Sequence, residues 1–151
     1  MIVLVALHVL SAVIWVGGMF FAYVVLRPSA GPLEAASRLA LWNRVFSRFF
    51  PWVWASIAIL LISGYSILFL SFGGFTGAPL HIQVMQATGI MMMLLFLYLF
   101  FAPWRRFSRA VEKRAFDEAG KTLNQIRRIV AINLVLGLIT VAAGASGRFW
   151  S

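Results

Sequence analysis

Residues 2–26, IVLVALHVLSAVIWVGGMFFAYVVL, form an apolar run in which His8 is the one side chain that titrates near neutral pH. At about 1.5 Å per residue, such a run in helical form exceeds the roughly 30 Å of hydrocarbon in a bilayer. It predicts a membrane-crossing helix and places His8 inside the membrane. An ionisable group there is costly and by default faces the bundle interior at a functional site. The run is too long for a signal-peptide core and has no basic leader, so it is expected to be retained.

Three further apolar segments follow, at about 51–72, 80–102 and 129–147. With 62% hydrophobic and 11% charged residues, the chain reads as one integral membrane domain spanning 1–151. It is all-α, a four-helix bundle of up-down-up-down order. Between the first two spans, Leu33, Ala36, Leu39, Ala40 and Trp42 alternate with Arg38, Arg44 and Arg48, which predicts an amphipathic helix at the membrane surface. Pro51 would open the second span, with Trp52 and Trp54 at headgroup depth. The charged stretch 105–128 predicts a helical hairpin around Gly120.

The net charge of +9 is a topological signal. Twelve of the thirteen basic residues fall in the 27–48 and 105–128 stretches, so those face the cytoplasm and both termini face out. Nucleic acid is not an expected partner; the lipid bilayer of a bacterial inner membrane is. The exception is Arg148. The chain has no cysteine, which leaves His, Met and oxygen as metal ligands. There is no Ser/His/Asp set, P-loop or paired intramembrane carboxylate to support hydrolysis or nucleotide-driven transport.

This topology puts His8 and the second histidine, His81, in the same outer leaflet. Helical spacing aligns His8 with Ser11, Ala12, Trp15, Gly18, Met19 and Ala22, and His81 with Val84, Met85, Thr88, Gly89 and Met92. Ser56, Ser63 and Gly64 mark the inward face of the second span. Asn133, Gly137, Thr140, Gly144 and Arg148 mark that of the fourth. Gly17-Gly18 suggests close helix packing. Met91, Met92 and Met93 read as packing, because consecutive residues cannot share a helical face.

Two imidazoles on facing helices can hold one metal. Haem b, the preferred cofactor, would be ligated by His8 and His81 in a slot lined by Trp15, with Arg148 near its propionates. It would carry electrons, as a haem-dependent membrane oxidoreductase, between a quinone pool and a periplasmic redox partner. Copper, the alternative, would use His8 and His81 with Met85 one turn along, and the protein would bind or transport the ion. A structural subunit of a larger complex, or an oligomer, is the third class; in that reading the histidines only hydrogen-bond.

HVLSAVIWVGG resembles the first histidine helix of the CopD-like copper-resistance membrane proteins. Leu80-His81, the Pro103-Trp104-Arg105-Arg106 exit and IRRIVAINLVLGLITV are similar to small members of that group. The resemblance implies a small inner-membrane protein tied to copper handling, or a haem-bearing relative. A further similarity is to HemJ-type protoporphyrinogen oxidases, four-helix haem proteins expected to carry a lysine in a later membrane helix. Here both lysines, Lys113 and Lys121, lie in the hairpin.

Overall fold

The computed structural model describes residues 1–150. Four long helices run antiparallel: α1 (Ile2–Ser29), α2 (Ala35–Phe72), α3 (Leu80–Glu112) and α4 (Phe116–Phe149). Each is long and apolar enough to cross a membrane. α1 packs mainly on α2 and α3 on α4, and smaller contacts of α1 with α4 and of α2 with α3 and α4 join the two pairs. Met1 lies beside Ser71, with Sδ and Oγ 3.6 Å apart, so the first helix starts where the second ends. The termini and the 73–79 connection share one end of the bundle. The arginine-rich segments share the other.

The surface helix expected before residue 51 is the first part of α2 instead. Leu39, Trp42, Phe46, Phe50, Val53 and Ile57 are all buried and recur at steps of three or four, so one stripe crosses Pro51 unbroken. Pro51 itself is exposed and costs the helix one N–H donor, a loss smaller than that of leaving the stripe unburied. The stripe meets protein, not lipid. Phe46 stacks on Phe50 at 5.2 Å, and both meet Trp104 edge-on. Trp52 is 61% exposed, but Trp54 turns inward onto Phe96 and Phe100 and is no headgroup anchor.

The hairpin forms as expected, with its turn earlier than Gly120. Lys113–Ala115 link α3 to α4, Arg114 takes a left-handed φ of 55°, and Gly120 sits within α4. The reversal falls where the helix-capping geometry demands it, on a residue that sequence chemistry does not mark. Two wide π turns, Phe21–Leu26 and Phe100–Trp104, lie beside Pro28 and over Pro103, where the missing proline N–H interrupts the helical ladder.

Large apolar burial is concentrated toward the basic end, with Trp15, Trp42, Phe46, Phe50, Phe96 and Phe107 each at most 4% exposed. Toward the terminal end the two pairs hold together mainly within themselves. Of the Gly17-Gly18 pair only Gly18 is at a contact, against the Phe49 ring. For orientation, the basic distribution predicts that single cysteines at 73–78 react with an impermeant maleimide added outside intact cells, and that cysteines at 113–115 do not. Reversed labelling would invert the bundle.

Candidate functional site

His8 sits two turns into α1, half-buried against α2. Its Nδ1 is 2.9 Å from Ser63 Oγ, and Ser63 Oγ donates its single proton to the Ile59 carbonyl at 2.6 Å. The hydroxyl must therefore accept from the ring. The hydrogen-bond network thus assigns the proton of a neutral His8 to Nδ1 and leaves the Nε2 lone pair free. Gly64 makes the approach possible: a Cβ there would lie 3.1 Å from the imidazole Cε1. A histidine anchored through one nitrogen, with the other open, is the usual second-shell arrangement of a metal ligand.

His81 opens α3 and lies against the end of α4. A Cβ on Gly147 would fall 2.6 Å from the His81 Cβ, so only glycine admits this approach. Trp150 meets the imidazole edge-on, with ring centroids 6.3 Å apart. One turn deeper, Met85 lies over Gly144, whose Cβ would be 2.9 Å from the methionine Cε and 3.3 Å from Sδ. Thr88 and Thr140 share a hydrogen bond of 2.6 Å, and Met92 packs on Gly137. The seam between α3 and α4 is therefore a column of His81, Met85, Thr88 and Met92 set against small or hydroxyl residues. Its donors are soft.

Each histidine is thus engaged with the helix paired to its own, one in each half of the bundle. Trp15 is not beside either ring. It is 2% exposed and packs edge-on to Phe96 in the core. Arg148 is exposed, its guanidinium 4.6 Å from the Phe149 ring centroid. Gly147 holds the place on the inward stripe that a step of four from Gly144 would assign to Arg148. In a helix the steps of three and four from Gly144 both lie near its face, and the 3₁₀ turn that begins at Gly147 carries Arg148 away from it. The Gly144-x-x-Gly147 spacing was the available signal. Of the three consecutive methionines only Met92 is buried, at 3% exposed, while Met91 is 50% exposed. Among the described residues no group of three or more His, Cys, Asp or Glu side chains is placed to hold a metal. A metal taken here would draw on imidazole and thioether.

A family model for copper resistance protein D matches residues 43–146, more than two thirds of the chain. The chain belongs to the CopD family. It is a multi-pass membrane protein related to copper resistance. The CopD match takes in Ser63, His81, Met85 and Met92; His8 and the rest of α1 lie before it. No curated protein and no solved structure matches the chain.

Proposed function

We propose that this CopD protein binds copper(I) within the terminal half of the bundle and passes it along the α3–α4 seam. The observation that carries this reading is the pair His81 and Met85, one turn apart, both seated on glycines of α4. Copper(I) favours imidazole and thioether over oxygen donors, and the thioether carries no proton whose loss would have to accompany binding. Met92, two turns below Met85, would be the next station. His8, with Nε2 unprotonated and Nδ1 anchored on Ser63, would complete the ligand set from the other helix pair. Both glycines let the donor side chains lie flat along α4.

The test is copper loading of the purified protein under reducing conditions, read by elemental analysis. Wild type is expected to retain copper through desalting, and His81→Ala and Met85→Leu to lose it. Met91→Leu, on the exposed face, should retain it. Equal retention in all four proteins would discard the seam as the site.

Haem b is the second reading, favoured by the free Nε2 of His8, since a bis-imidazole haem needs one such nitrogen from each side. It would depend on His8 and His81 and be indifferent to Met85, and it would supply one-electron chemistry to an outer partner. An absorption spectrum separates the two: a Soret band lost in His8→Ala and kept in Met85→Leu selects haem over copper.

A further inference from the structure

At the basic end, three arginines from three helices line one open pocket of about 410 Å³, together with Tyr23, Pro28 and Gly31. Arg27 ends α1, Arg38 begins α2 and Arg127 lies on α4 just before its apolar part. None of the four Asp and Glu side chains lines the pocket. Like charges gathered without a counter-ion repel one another, so the arrangement calls for an anion.

The arginines are positioned by the fold. Arg38 donates through Nη1 to the Gly31 and Leu33 carbonyls at 3.2 and 3.0 Å, which ties it to the α1–α2 connection. Arg27 lies 4.9 Å from the Tyr23 ring centroid. Arg127 lies 5.6 Å from the ring centroid of the buried Trp42, and its hydrogen bond to Asn124 Oδ1 is long at 3.4 Å. Its Nε is fully enclosed and finds no acceptor among the described residues. A guanidinium fixed by stacking, with donors unspent, suits a planar two-point contact with phosphate oxygens.

We propose that this pocket is a binding site for a phosphate group, supplied by an anionic phospholipid or by a soluble phosphate. Position supports it: the pocket lies where two arginine-rich segments leave the apolar spans, at the depth of headgroups on the positively charged side, where basic pockets between helices select anionic lipids. The site is independent of the histidines at the opposite end.

Binding to the full-length protein in a zwitterionic detergent tests it, with phosphatidylglycerol and inorganic phosphate as separate probes and thermal stabilisation as the readout. At least one probe is expected to stabilise wild type in a saturable way, and the one that does names the source. Arg27→Gln and Arg127→Gln should each weaken that binding about tenfold, the loss that accompanies removal of one charge-assisted contact. Arg44→Gln, an exposed residue outside the pocket, should leave it unchanged. Should Arg127→Gln fail to fold, the exposed Arg27 carries the test alone. Stabilisation by neither probe, or equal stabilisation of wild type and Arg27→Gln, would overturn the proposal.

Discussion

Phe107→Ala is expected to lower stability by about 3–5 kcal/mol, the range for removing a fully enclosed aromatic ring. Phe107 is 0% exposed and lies among Phe46, Trp104 and the small residues Ala110 and Ala119. It belongs to the part of α3 that extends past the apolar span. There water is close by, and burial is driven by the hydrophobic effect. The neighbouring rings, Phe46 on α2 and Trp104 on α3 itself, are held by their own helices, so they cannot collapse freely into the cavity. Leu94→Ala removes a side chain that is 55% exposed on the face turned to lipid, and should change stability by no more than about 0.5 kcal/mol. Denaturant unfolding of both variants in one detergent would compare them. Comparable losses would mean that the bundle is not sealed at its basic end.

Gly147→Ala is expected to cost copper retention at least about tenfold while leaving helix content intact. The added methyl would lie 2.6 Å from the His81 Cβ. That atom is fixed to the α3 backbone, so the ring cannot evade the clash by rotating; the start of α3 must shift. Gly144→Ala makes an instructive contrast, because its methyl meets the Met85 Cε at 2.9 Å, the far end of a flexible side chain that can swing aside. Its effect should be the smaller. Copper stoichiometry after dialysis, beside circular dichroism for the fold, ranks the two. Were Gly144→Ala the more damaging, Met85 and not His81 would be the position-critical donor.

Much of the site was legible along the chain because helical spacing is local. His81 and Met85 are four residues apart, and the facing stripe of Asn133, Gly137, Thr140 and Gly144 advances by three or four, so both sides of the seam could be read before any packing was known. The structure pairs them: Met92 with Gly137, Thr88 with Thr140, Met85 with Gly144. The stripe's last step was not legible, since it depends on α4 tightening at Gly147. Neither was the bond from His8 to Ser63. Spacing shows which residues share a face on one helix, and it does not say which residue of another helix they meet.

The existence and apolar nature of four spans, and the gathering of basic residues at one end, belong to the sequence alone. Length against bilayer thickness and the cost of charge in hydrocarbon are properties of each segment by itself. The continuation of α2 through Pro51 was decided only in the tertiary structure. Locally, Pro51 and the arginines before it favour a break; Phe46 and Phe50 have Phe96, Trp104 and Phe107 to pack against only when α3 lies alongside. The same long-range contact sets Trp54 inward. It also brings Arg27, Arg38 and Arg127 together from positions a hundred residues apart, because α4, three turns in from its start, packs beside the end of α1 and the connection to α2.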